Sequence, residues 1–174
     1  MIKMKKIIIQ KCKKIKIVLT DVDCVLTDGG MYYTSEGDYM KKFHTRDGMG
    51  VSILKKNNIS TIIITKESTE IVRHWAKNMN IKKIFDGIQK KEHILDDIIK
   101  LFNVKKDEIA YIGDDVNDLE LMKKVGFSAT PNDGIILAKE IADYTCHCKG
   151  GEGVLREIAD LILTIQYPKK KNWY

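Results

Sequence analysis

Three short runs of β-branched and aliphatic residues break off at chemically reactive side chains. Ile15 to Thr20 runs into Asp21-Val22-Asp23, Ser60 to Thr65 ends on its own threonine, and Glu108 to Ile112 runs into Gly113-Asp114-Asp115. Segments with helical spacing lie between them. Strands that alternate with helices predict right-handed crossovers and a parallel sheet covered on both faces. The carboxyl ends of such strands share one edge, where open α/β sheets bind their ligands. The pattern therefore gathers carboxylates and a hydroxyl in one crevice. Asp21 and Asp23 are two residues apart, so on a strand they face the same side. Carboxylates crowded there repel each other and call for a cation, and a divalent ion suits an all-oxygen site.

The rest of the chain fits around these strands. Met31 to Thr34 and Tyr39 to Phe43 flank Ser35-Glu36-Gly37-Asp38, which predicts a β-hairpin inserted after the first strand, with Gly37 in the turn. A helix is expected from Asp47 to Lys56, with Val51, Ile53 and Leu54 facing inward. Ser68 is the expected cap of a helix running to about Met79, with Ile71, Val72 and Trp75 as its stripe. Ile84-Phe85 reads as a short strand, and Lys90 to Phe102 as a helix with the stripe Ile94, Leu95, Ile98 and Leu101. Helices near 117–125, 135–141 and 153–165 and short strands near 127–129 and 144–146 complete the alternation. The expected fold is a three-layer α/β, Rossmann-like parallel sheet with one hairpin. Residues 1–14 are expected as a basic lead-in, 15–166 as a single domain and 167–174 as a tail.

Bulk properties exclude several classes. The 174 residues carry a net charge of +6, and seven lysines fall in the first sixteen residues. No aromatic residues interleave with those lysines as a strand-binding platform requires, so they read as a solvated end and no nucleic-acid partner is expected. No apolar run approaches the ~20 residues of a membrane span. Ile7-Ile8-Ile9 is too short for a signal-peptide core, so no membrane partner and a cytoplasmic location are expected. Cys12, Cys24, Cys146 and Cys148 form no C-x-x-C, and Cys146-His147-Cys148 has no second ligand pair at finger spacing; free thiols are expected.

The shared edge has the parts of a phosphoryl-transfer site. Asp21 is placed to attack phosphorus, and Asp23 to protonate the leaving alcohol and then deprotonate water. Asp114 would hold Mg²⁺ together with Asp21. Thr65 and either Lys90 or Lys91 would bind phosphate oxygens. Asp115 and Asp118 are expected to support the metal through hydrogen bonds rather than ligate it.

These residues resemble the haloacid dehalogenase superfamily of phosphatases over about Ile15 to Ile165. The first motif stands as Asp21-Val22-Asp23-Cys24-Val25-Leu26-Thr27-Asp28-Gly29, the second as Thr65, the third as Lys91 after Gly87-Ile88-Gln89-Lys90, and the fourth as Gly113-Asp114-Asp115-Val116-Asn117-Asp118. Lys42-Phe43-His44-Thr45-Arg46-Asp47-Gly48-Met49-Gly50 and Gly150-Gly151-Glu152-Gly153-Val154-Leu155-Arg156-Glu157 look like the small capless phosphatases of 3-deoxy-2-ulosonic acid phosphates. The resemblance implies Mg²⁺ held by Asp21, Asp114 and the Asp23 backbone carbonyl. It implies substrate contacts from Arg46, Lys66, Glu67 and Arg73. It also implies a homotetramer in which the hairpins form a central barrel and a neighbouring subunit stands in for a cap domain.

The chain departs from that pattern in two places. Cys24 and Lys66 occupy positions where the family usually has glycine. Thr65-Lys66-Glu67 leans towards the nonulosonate 9-phosphate phosphatases and Arg46-Asp47-Gly48 towards the octulosonate 8-phosphate phosphatases. A different class, a catalytically silent tetramerisation module like the domain attached to sialic acid cytidylyltransferases, tends to lose a catalytic aspartate; Asp21, Asp23, Thr65, Asp114 and Asp115 are all present here.

Overall fold

Helix α1 (Lys6–Cys12) leads into strand β1 (Ile17–Thr20), followed by the antiparallel ribbon β2 (Tyr32–Thr34) and β3 (Gly37–Met40). The chain then alternates through α2 (Thr45–Lys56), β4 (Ser60–Ile64), α3 (Glu70–Asn78), β5 (Ile84–Phe85), α4 (Leu95–Phe102), β6 (Ile109–Ile112), α5 (Leu119–Lys124), β7 (Phe127–Thr130), α6 (Ile136–Ile141), β8 (Tyr144–Thr145) and α7 (Val154–Gln166). This computed structural model describes residues 6–170 and 172–173. Residues 1–5 of the expected lead-in, and Lys171 and Tyr174 of the expected tail, lie outside the described residues.

Six parallel strands form the sheet in the order β5-β4-β1-β6-β7-β8. The central strand β1 is buried throughout, and its residues alternate between two cores. Val18 faces a core built with α1, α2, α3 and α7, whereas Ile17 and Leu19 face one built with α4, α5 and α6. The register sets Thr20 level with Ile63 on β4 and Ile112 on β6, so three strands finish together. Backbone bonds continue the alignment one residue further, with Asp21 N donating to Ile112 O at 2.9 Å and Thr65 N to Phe85 O at 2.9 Å. Only the ribbon intervenes between β1 and α2, and no cap domain is present among the described residues.

Helices α2 and α7 pack closely because α2 carries glycine at the contact. A Cβ on Gly50 would stand 3.1 Å from the Arg156 Cα. Asp47, buried in the first turn of α2, accepts a hydrogen bond from Arg156 N at 3.0 Å, so one helix satisfies an amide at the start of the other.

Four expectations need correction. Residues 6–12 form a helix, docked by buried Ile8 and Cys12, where only a lead-in was expected. Thr69, not Ser68, caps α3, its side chain accepting from Val72 N. The helix expected over 90–102 opens with a 3₁₀ turn at Lys91–Ile94, and in the α-helix that follows Leu101 is exposed while Ile99 and Phe102 pack inward with Leu95 and Ile98. The hairpin strands are shorter than expected: Phe43 leaves the ribbon, bridges Thr27 and stacks on Trp75 with ring centroids 4.7 Å apart.

Gln166 holds α1 in place, its Nε2 donating to Cys12 O at 3.0 Å and Ile15 O at 2.7 Å. Gln166→Ala is expected to leave both carbonyls short of a partner and lower stability by about 1–2 kcal/mol in chemical denaturation. An unchanged midpoint would show that these bonds do not secure α1.

Candidate active site

Lys91 is the organising charge of the site. It enters from the 3₁₀ turn before α4 and is fully buried. Its Nζ lies 2.8 Å from Asp21 Oδ2 and 2.6 Å from Asp118 Oδ1. The adjacent Lys90 is exposed, so of the two sequence candidates Lys91 is the one in the site. Burial alone would lower the Lys91 pKa, but the two carboxylates outweigh it and hold the ammonium above its ordinary value.

Asp118 ties this charge to the loop after β6. One oxygen accepts from Lys91 and from the Tyr111 hydroxyl; the other accepts from Asp114 N at 2.8 Å and Asp115 N at 3.2 Å. Gly113 is needed for this close approach, since a Cβ there would meet the Asp118 Cβ at 2.5 Å. With both oxygens occupied, Asp118 acts as a brace. Oxygens of Asp21, Asp114 and Asp118 all lie within 4.8 Å of one another. Burial first, then mutual repulsion, pushes Asp114 up to about 8; burial pushes Asp21 up to about 7 against the pull of Lys91. Once ionised, the three carboxylates against one ammonium leave an excess of two negative charges, and their raised pKa values show how costly that excess is without a cation. An all-oxygen donor set with that excess fits a hard divalent cation such as Mg²⁺, with Asp21 and Asp114 as the available ligands.

A cavity of about 260 Å³ opens beside these groups, lined by Asp21, Asp23, Cys24, Thr65, Lys66, Glu67 and Asp114 to Asn117. Thr65 is buried at its wall, its Oγ1 accepting from Glu67 N at 3.3 Å. Asp23 Oδ1 accepts from Lys41 Nζ at 2.6 Å and Thr27 Oγ1 at 3.2 Å. Cys24 takes φ +60°, the left-handed conformation that glycine adopts freely, at a cost of order 1 kcal/mol for a residue with a side chain. Burial and the surrounding carboxylates push its thiol up to about 12, so it stays neutral. Lys66 has an ordinary negative φ, so replacing glycine there costs no backbone strain. Gly150 and Gly151 press on the loop after β1: a Cβ on Gly150 would meet Cys24 O at 2.2 Å, and one on Gly151 would meet Asp28 N at 2.5 Å.

Two sequence candidates stand elsewhere in the single chain. Arg46 lines a separate cavity of about 620 Å³ at the start of α7, with His147, Glu152 and Gly153. Arg73 is on the surface of α3, ion-paired with Glu70 and Asp86 and bonded to Ser68 Oγ. Neither lines the cavity at Asp21. His44 caps α2, accepting from Arg46 N, and His93 is exposed beside Glu92. Lys41 and Tyr111 were not anticipated. Tyr111 carried a signal, because a tyrosine inside an otherwise aliphatic buried strand needs a partner for its hydroxyl.

Among known proteins, the family described as haloacid dehalogenase-like hydrolase matches residues 6–158. The 3-deoxy-D-manno-octulosonate 8-phosphate phosphatase of Haemophilus influenzae is 38% identical over 157 residues, covering 90% of this chain and 87% of that one. The Escherichia coli K12 enzyme of the same name is 33% identical over 159 residues, covering 91% and 85%. The cobalt-bound structure of the H. influenzae phosphatase superposes with a TM-score of 0.88 over 90% of this chain and 92% of that one. The Moraxella catarrhalis phosphatase, in complex with magnesium, phosphate and the octulosonate, does so with a TM-score of 0.88 at 37% identity over 91% of each chain. The chain belongs to the haloacid dehalogenase-like hydrolase family.

Asp21, Asp47 and Asp114 all have folded pKa values raised above those of an unfolded aspartate, to about 7, 6 and 8. The folded state therefore binds more protons than the unfolded state between about pH 4 and pH 8, and stability falls as pH rises through that window. Carboxylates held low, such as Glu108 and Glu157, are already ionised there. Metal-free protein is expected to melt at a higher temperature at pH 5 than at pH 8; the opposite order in calorimetry would contradict these burial effects.

Proposed function

We propose that this chain hydrolyses the terminal phosphate monoester of a 3-deoxy-2-ulosonic acid, with 3-deoxy-D-manno-octulosonate 8-phosphate as the favoured substrate. The observation that carries the reading is the arrangement of Asp21, Lys91 and Asp114 at one edge of the sheet, with Thr65 and Asp23 facing the same cavity. The relatives named above supply the substrate class.

The Lys91 bond falls on Asp21 Oδ2 and leaves Oδ1 to attack phosphorus. Lysine has three donors, and two are taken by Asp21 and Asp118, so the third serves a phosphate oxygen. The Thr65 hydroxyl, held at the end of β4, binds another. Asp23 gives its proton to the sugar oxygen as the P–O bond breaks, leaving an aspartyl phosphate on Asp21. It then takes a proton from the water that attacks that phosphate. A magnesium ion held by Asp21, Asp114 and the Asp23 backbone carbonyl would neutralise the charge of the phosphoryl oxygens. Asp115 and Asp118 brace the loop that carries Asp114. Lys66 and Glu67 line the mouth of the cavity and are the proposed sugar contacts.

A homotetramer is part of the proposal. Met31, Tyr33 and Tyr39 on and beside the ribbon are 73%, 59% and 71% exposed, a run of apolar surface suited to burial against other copies of the chain. Thr65-Lys66-Glu67 favours a second reading, a nine-carbon nonulosonate 9-phosphate, for the same chemistry.

Phosphate release from the two acid-sugar phosphates, measured side by side with Mg²⁺, tests the reading. The eight-carbon substrate is expected to give the higher kcat/KM, and Asp21→Asn to reduce release by at least about 10⁴-fold while leaving the melting transition in place. Release from neither substrate would refute the phosphatase reading, and near-normal Asp21→Asn turnover would refute the nucleophile. Gel filtration with light scattering is expected to give four chains per particle, and Tyr39→Asp to reduce that number; a monomeric wild type would refute the tetramer.

A further inference from the structure

The acid/base carboxylate is held from the hairpin, by a residue outside every motif read from the sequence. Lys41 directly follows β3, and its side chain turns inward, only 12% exposed. Its Nζ lies 2.6 Å from Asp23 Oδ1. Thr27 Oγ1 donates to the same oxygen at 3.2 Å. Thr27 also forms an isolated antiparallel bridge with Phe43, two residues beyond Lys41, so the two donors are fastened to each other through the base of the ribbon. Both bonds fall on Oδ1, and Asp23 Oδ2 accepts none from any described residue.

An aspartate held through one oxygen presents the other in a fixed direction. We propose that Lys41 is a positioning residue: with Thr27 it anchors Asp23 through Oδ1, so that Oδ2 is the oxygen that passes the proton to the leaving sugar alcohol and later receives one from water. The inference rests on the phosphatase reading above and assigns Lys41 no contact with substrate. It gives the hairpin a second duty, because the segment that carries the exposed ribbon also sets the direction of the acid/base group. Lysine suits the position: its ammonium makes a charge-assisted bond to the carboxylate, and its four-carbon stem reaches Asp23 along the wall of a cavity it lines with Tyr32, Tyr33 and Met40.

A proton donor matters when the leaving group is a poor one, which distinguishes positioning from general damage. In Lys41→Met, kcat/KM for an acid-sugar phosphate, whose leaving group is an alkoxide, is expected to fall about 10- to 100-fold. For 4-nitrophenyl phosphate, whose leaving group departs without a proton, it is expected to change by less than about 3-fold. Lys41→Arg, which keeps a donor, should recover part of the loss. Thr27→Val removes the other Oδ1 bond without touching Lys41, and is expected to show the same selectivity at smaller size, including if Lys41→Met fails to fold. Equal losses with both substrates, or no loss with either, in folded variants would overturn the positioning role. A wild-type chain that releases no phosphate from the acid sugar would instead overturn the phosphatase reading on which it rests.

Discussion

The site depends on one buried ammonium. A lysine fully removed from water stays charged when carboxylates offset the loss of hydration, and Lys91 has two, Asp21 and Asp118, at 2.8 and 2.6 Å. Each partner is then committed elsewhere. Asp118 spends its remaining bonding capacity on Tyr111 and on two amides of the loop after β6, which fixes Asp114. Asp21 is oriented through Oδ2. Removing one member of such a buried set leaves an uncompensated charge and typically costs about 3–5 kcal/mol. Lys91 therefore supports the fold of the crevice and its charge at once, and three ionised carboxylates around it would leave a surplus of two negative charges.

Much of the fold was legible because period and register are local properties. Ile17, Leu19 and Val18 face opposite cores as strand alternation demands, and the parallel pairing of β1 with β4 and β6 brings Asp21, Thr65 and Asp114 to one edge. Errors fell where the signal is not periodic. Ile7-Ile8-Ile9 shows no helical spacing, and α1 is defined by its docking, with Gln166 binding the carbonyls that follow it. Within α4 the inward face is Leu95, Ile98, Ile99 and Phe102, an i, i+3, i+4, i+7 stripe that excludes Leu101; a stripe counted from Ile94, which lies in the 3₁₀ turn, picks the wrong last member. That turn also buries Lys91 and leaves its neighbour Lys90 outside.

The gathering of Asp21, Asp23 and Asp114 at one edge was readable because their spacing repeats a known chemical pattern. Lys41 was not, since its partner lies 18 residues away across a hairpin whose seat only the tertiary structure fixes. Arg46 and Arg73 show the converse. Both were expected to contact substrate, but α2 directs one to the cavity by α7, and Glu70 and Asp86 engage the other on the surface. Cys24 and Lys66 both stand where the family usually has glycine; Cys24 takes the left-handed backbone and Lys66 does not.

The charge surplus is the most direct point of test. Calorimetric titration of metal-free wild-type chain is predicted to show one Mg²⁺ bound per chain, and Asp114→Asn, which cuts the surplus from two charges to one, to weaken that binding at least about 10-fold. A wild-type chain that binds no Mg²⁺, or an Asp114→Asn chain that binds it as tightly, would contradict the account.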